Sequence, residues 1–144
     1  MRGILPYLLG FVAVFLVAYY GFVAPRTLRF ILTAENLQIR GDLFYGRRIR
    51  RSTLNIEQAR LVPSDGEGAL KATVRLNGVG LPNYQSGWFR TNFGKTLLFQ
   101  RPGRPAVAIP VGDAYILIVT PADPDQLLQA LRTPQASLNE HLAR

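Results

Sequence analysis

Four arginines crowd around Ile49: Arg47, Arg48, Arg50 and Arg51. Guanidinium groups at that density attract anions, and beside an anionic leaflet each basic side chain adds about 1 kcal/mol of attraction. With Arg26 and Arg29 upstream, they are the candidate contact for lipid or another anion. On a strand, alternation sends Arg47, Ile49 and Arg51 to one side and Arg48 and Arg50 to the other. One flat patch therefore requires a bend, and a solvated strand edge is the competing reading. A second group, Tyr84, Trp88, Phe89 and Arg90, mixes aromatic rings with a cation after Gly80-Leu81-Pro82. Tyr84, Trp88 and Arg90 are the candidate contact for a ligand or partner; the alternative is that the sole Trp and its Phe neighbour pack a core.

Other chemistries lack their parts. There is no Cys, hence no disulfide, thiolate metal ligand or cysteine nucleophile. His141 is the only histidine and falls in an apolar-poor tail, away from any acid cluster, and the nine acids show no ligand spacing. A pair such as Asp42 with Asp113 would have to come from distant loops and matches no acid–base motif. Gly78-Val79-Gly80 opens like a dinucleotide fingerprint, but Leu81-Pro82-Asn83 follows with no third glycine and no helix. The expectation is a non-enzymatic chain with no catalytic residue, metal or cofactor. Nucleic acid is not an expected partner either, because the basic residues are spread through strands without a recognisable reading motif.

The elements that must position these residues fall into two parts. Residues 3–24 contain no charged side chain. As a helix this stretch rises roughly 33 Å, enough for a hydrocarbon core of roughly 30 Å. Pro6 sits in the tolerant first turn, and Tyr7, Tyr19 and Tyr20 mark the two ends, where amphipathic rings favour head groups. A cleaved secretory signal fits less well, since Pro25 follows Phe22-Val23-Ala24 and Leu16-Val17-Ala18 places a bulky residue where a small one is needed. The reading is a single-pass anchor in the cell (inner) membrane. Arg26, Arg29 and Arg40 against Arg2 place the following domain on the cytoplasmic side. Gly10, Ala13, Ala18 and Gly21 are not four apart, so close helix pairing is not signalled, and the oligomeric state stays open.

The rest fits one domain, residues 26–133, with a tail at 134–144. The chain's 17 Lys and Arg against 9 acids, a formal net charge of +8, bias the surface toward anionic partners. Short β-rich runs punctuated by turn residues predict strands near 28–33, 36–41, 43–50, 57–63, 70–76, 87–91, 95–100, 106–110 and 114–119, some of them broken or merged. Turns fall at Asp65-Gly66, Asn92-Phe93-Gly94 and Gly112-Asp113. Thr120-Pro121-Ala122-Asp123 predicts a helix start with Thr120 as the N-cap. Leu127, Leu128 and Leu131 form its apolar stripe, and Thr133-Pro134 ends it. Leu138 and Leu142 would suit one more helical turn in the tail.

Three stretches carry a family likeness: Gly41-Asp42-Leu43-Phe44-Tyr45-Gly46-Arg47, Gly80-Leu81-Pro82-Asn83-Tyr84-Gln85-Ser86-Gly87-Trp88-Phe89-Arg90, and Thr120-Pro121-Ala122-Asp123-Pro124. Over residues 28–132 the chain resembles a bacterial pleckstrin-homology (PH-like) domain family found on small membrane-anchored proteins. The resemblance implies a mainly β fold: a PH-like barrel of about seven antiparallel strands closed by one C-terminal α-helix, here preceded by one transmembrane helix. In eukaryotic relatives that bind phosphoinositides, a Lys and an Arg-x-Arg around the first two strands grip the phosphates. Residues 29–40 have no Lys and put Gln38 at a basic position, a departure that does not fit inositol phosphate recognition. The expected function is a membrane-tethered module recruiting a protein partner. Direct binding of anionic head groups and a small-ligand-binding accessory subunit are the alternatives.

Overall fold

A computed structural model describes residues 3–133 and 140–141. One helical run, Leu5–Thr27, is long and apolar enough to cross a membrane, with mean hydropathy 2.1 over its best window, of which only 11% is buried. It comprises α1 (Leu5–Ala18), one π-helical turn (Tyr19–Val23) and α2 (Ala24–Thr27). The helix thus continues past Ala24, the end of the expected anchor. A proline inside a helix leaves the carbonyl four residues earlier without its donor. Here that carbonyl belongs to Gly21, and Asn83 Nδ2 donates to it at 2.6 Å. The π turn widens the ring path at the same place, a known device for absorbing such a mismatch.

Two sheets follow. β1 (Arg29–Leu32), β2 (Asn36–Arg40) and β3 (Arg47–Arg50) form an antiparallel meander. β4 (Arg60–Val62), β5 (Ala72–Leu81), β6 (Tyr84–Thr91), β7 (Gly94–Gln100), β8 (Ala106–Val111) and β9 (Tyr115–Val119) form the second sheet in the order β4-β8-β9-β7-β6-β5. α3 (Pro124–Arg132) packs at its β4–β8 end. A two-residue strand, β10 (Glu140–His141), pairs with β1. The rest of the tail, with Leu138 and Leu142, lies outside the described residues.

The mainly β fold with one C-terminal helix is as expected, with three corrections. The sheets face each other as an open sandwich and do not close into a barrel. Between β3 and β4 the chain turns through two 3-10 helices, Arg51–Thr53 and Ile56–Gln58, and a single bridge, Leu54 to Val111, is what crosses there. The pairing is not wholly antiparallel, because β7 and β9 run parallel. The helix cap is Asp123, not Thr120. Asp123 Oδ1 accepts the Gln126 amide at 3.0 Å with Pro124 following, while the Thr120 hydroxyl accepts the Arg101 amide at 2.9 Å.

The expected strand at 43–50 begins only at Arg47, because Asp42 Oδ1 takes the amides of Phe44 and Tyr45 and bends the chain into a turn. The expected strands at 70–76 and 87–91 extend toward each other as one long hairpin, β5–β6. Its strands approach closely at Gly78 and Gly87; at Gly87, with φ +106°, a Cβ would lie 2.6 Å from the Asn77 carbonyl oxygen.

The main core joins both sheets and α3, with Phe30, Leu37, Ile39, Leu97, Phe99, Ile109, Leu117 and Leu127 buried together. A smaller cluster on the other face of the second sheet, including Phe89, Leu98 and Ile118, packs Leu70 and Phe93. This two-sided burial explains the unbroken apolar run at Leu97-Leu98-Phe99.

Candidate functional site

The junction of helix and domain is the most elaborate polar site among the described residues. Tyr20 is only 3% exposed and belongs, with Ala24, to the main core. Its hydroxyl donates to Asp42 Oδ1 at 3.1 Å and accepts the Phe44 amide at 3.2 Å. Tyr84, fully buried, donates to Asp42 Oδ2 at 2.5 Å. With the Phe44 and Tyr45 amides, the buried Asp42 carboxylate accepts from four donors, which is what an unpaired buried carboxylate needs. Burial, then the neighbouring Asp42 charge, hold the Tyr84 hydroxyl above its ordinary range, so it stays a donor. Beside this network Tyr19 donates to the Gly41 carbonyl at 2.9 Å, and the Phe44 ring stacks on Tyr20 at 6.0 Å. The end of the apolar helix is therefore built into the domain and not joined to it by a linker.

Next to the junction lies an open cleft of about 520 Å³. Pro25 and Arg26 of α2, Pro82 and Asn83 of the β5–β6 turn, and Arg101 and Arg104 of the β7–β8 loop line it. Arg101 is part-buried, with a buried Nε that lacks a hydrogen-bond partner among the described residues. Burial first, then Arg104, lower its pKa.

The six arginines singled out in the sequence do not form one patch. Arg26 lines the cleft, and Arg29 is exposed on β1 opposite Arg40. Arg47 lies over the Trp88 ring at 5.3 Å, and Arg48 and Arg50 are exposed on the outer side of β3. Arg51 is a different kind of residue. It is 4% exposed, and its guanidinium donates to the carbonyls of Thr33, Ala130, Leu131 and Thr133, tying the end of β3 to the C-terminus of α3. That position suits a cation because the last carbonyls of a helix lack partners and carry its negative pole; burial lowers the Arg51 pKa.

Tyr84, Trp88 and Arg90 also part company. Tyr84 is consumed by Asp42. Trp88 is half-buried, meets Tyr115 edge-on at 4.9 Å and carries Lys95 over its ring at 5.0 Å as well as Arg47. Arg90 is exposed further along β6. Among the described residues no three His, Cys, Asp or Glu side chains gather as metal ligands.

Sequence reasoning missed Asp42 as the junction acceptor, Asn83 as the partner of the helix, and the pair Arg101 and Arg104. The available signals were an aspartate just after a glycine within a family motif, and two arginines flanking Pro102-Gly103.

A family model described as bacterial PH domain matches residues 28–135, well over half of the chain. The chain belongs to that family. Both junction residues of the domain, Asp42 and Tyr84, lie inside the matched bacterial PH region, whereas Tyr20 precedes it. PH-like domains are typically non-catalytic binding modules, and the family by itself names no ligand. No curated protein and no solved structure matches the chain.

Proposed function

We propose that this bacterial PH domain is a recruiting module held at the cell (inner) membrane by residues 3–24, with its domain on the cytoplasmic side and a protein partner bound at the free edge of the larger sheet. The observation that carries the reading is the junction. A helix whose Phe11, Val14, Phe15 and Val17 are exposed needs an apolar surrounding, and its last turns enter the domain core through Tyr20 and Ala24. Exposed Leu43 and Phe44 sit at the same end, where interfacial aromatic and apolar side chains are favourable. A domain fixed in this way presents its surface at a set height and orientation above the bilayer.

The partner edge is β5. It is the last strand of its sheet, with no neighbour beyond it among the described residues, and it exposes Val74 (50%) and Leu76 (47%). Irregular pairing between Ala72 and Asn77 blunts aggregation at one end, while residues 77–81 keep regular register with β6. An extended segment of a partner adding as a strand uses such an edge for main-chain bonds and the exposed side chains for selection.

The test is photo-cross-linking of the full chain in its native membrane with a probe at Asn77. One discrete adduct is expected, absent with the probe at Gln126 and lost in V74D/L76D. The same adducts at both positions, or their persistence in V74D/L76D, would sink the partner assignment. Release of the chain from membranes by alkaline extraction would sink the tether.

A further inference from the structure

We infer that the cleft formed by Arg26, Arg101 and Arg104 is a phosphate site that takes the head group of an anionic glycerophospholipid from the bilayer in which the helix sits. Three observations converge on it. The first is position. Arg26 follows Ala24 in the last helical turn, so the cleft opens beside the apolar helix, at the end of the domain that faces the head groups.

The second is charge. Two segments far apart in sequence, α2 and the β7–β8 loop, bring three arginines to the cleft, with no acid in its lining. Of the other clefts, one sets Glu35 beside Arg50 and Arg51 and one sets Asp113 beside Arg60 and Lys95; a third, lined by Arg40, Arg47 and Arg48, is also free of acid but holds no buried unpartnered side-chain nitrogen among the described residues.

The third is an unmet need. Arg101 is a part-buried cation beside a second cation, its buried Nε lacking an acceptor among the described residues. A cation in that setting is costly until an anion joins it. A phosphate offers several acceptor oxygens to several guanidinium forks, the pairing that arginine geometry favours. The site differs from the strand β1–β2 region where basic residues were sought in the sequence. It is assembled from the helix exit, the β5–β6 turn and the β7–β8 loop, and Asn83, bonded to Gly21, fixes the turn against the helix.

This inference rests on the membrane-tether reading, and alkaline extraction scores that reading independently. The site itself is tested on the full chain in zwitterionic micelles by thermal unfolding, followed through Trp88 fluorescence, on titration with dioctanoyl phosphatidylglycerol, dioctanoyl phosphatidylcholine or inorganic phosphate. The phosphatidylglycerol should raise Tm in a saturable way and the phosphatidylcholine should not. R104Q should weaken the apparent affinity on the order of tenfold, R26Q/R101Q/R104Q should abolish the shift, and R48Q, on exposed β3, should leave it intact. R104Q alone decides the matter if the triple variant fails to fold, because Arg104 is exposed. Equal phosphatidylglycerol shifts in the wild type and R104Q would overturn the site. An equal response to inorganic phosphate would overturn the lipid as its source.

Discussion

The Tyr84 hydroxyl donates to Asp42 Oδ2 at 2.5 Å, deep enough that Tyr84 has no exposed surface, and the other oxygen of the same carboxylate receives Tyr20 from the apolar helix. One carboxylate thus holds the domain and its helix in a single geometry. Removing a partner from a buried charge leaves the charge unsatisfied, which costs more than the bond itself contributes. Y84F should lower stability by about 1–3 kcal/mol and D42A by about 3–5 kcal/mol, read from denaturant unfolding of the full chain in micelles. A Y84F protein as stable as the wild type would contradict the network.

The same tyrosine sets an alkaline limit. Burial and the Asp42 charge raise its folded pKa above the ordinary value of about 10, with Asp42, Tyr20 and Arg101 the titratable groups that face it. Below that pH both folded and unfolded states keep the proton and nothing changes. Above it the unfolded state ionises first, binds fewer protons and gains on the folded state. Stability should fall from about pH 10 upward with a slope approaching about 1.4 kcal/mol per pH unit from this group. Y84F should flatten that slope in a pH series of unfolding midpoints.

Asn83 does for Pro25 what the missing helical donor cannot. In N83A the Gly21 carbonyl loses its 2.6 Å bond, and the helix should loosen from the domain at a cost of about 1–2 kcal/mol. Because the chain has no cysteine, V14C and Q126C can carry a spin-label pair without background. The distance distribution between them should broaden in N83A and stay narrow in the parent.

Neighbouring arginines should respond very differently to substitution. R51A removes four carbonyl contacts at the end of α3 and should destabilise the protein by about 3 kcal/mol, with R51K a poor rescue because an ammonium lacks the planar fork. R48A and R50A, exposed on the outer side of β3, should stay within about 0.5 kcal/mol of the parent. Thermal unfolding of the three variants side by side checks this; equal effects would remove the capping role of Arg51.

Protease protection in membrane vesicles of known orientation should find the domain on the cytoplasmic side, since Arg26, Arg29 and Arg40 follow the helix closely. Cleavage from the opposite face would reverse the topology and with it the set of available partners.

The local chemistry of this chain is legible residue by residue. The uncharged run before Pro25, the alternating side chains around Ile49 and the leucine stripe of α3 each show a pattern that one element imposes on its own sequence. Arg51 escapes the alternation altogether, because the strand ends at Arg50 and the chain turns into a 3-10 helix that buries it. Thr120-Pro121 and Asp123-Pro124 offer nearly the same local capping chemistry, and the choice falls to Asp123 because the Arg101 amide of the β7–β8 loop claims the Thr120 hydroxyl. The turn after Gly41 looks like strand in the sequence because its cause, Asp42 gathering two amides, competes with β-favouring neighbours.

By itself, then, the sequence determined a long apolar helix, a mainly β domain with one C-terminal helix and membership of a bacterial PH family, because periodicity, turn chemistry and motif are properties of contiguous residues. Tertiary structure alone decided that the sheets stay an open sandwich, that Asp42 joins Tyr20 and Tyr84 across separations of 22 and 42 residues, that Arg51 leaves the surface, and that Arg101 and Arg104 meet Arg26. The physical reason is that a buried charge takes whichever donors the strand order delivers to it, and strand order is set by the packing of the whole chain, not by the residues beside the charge.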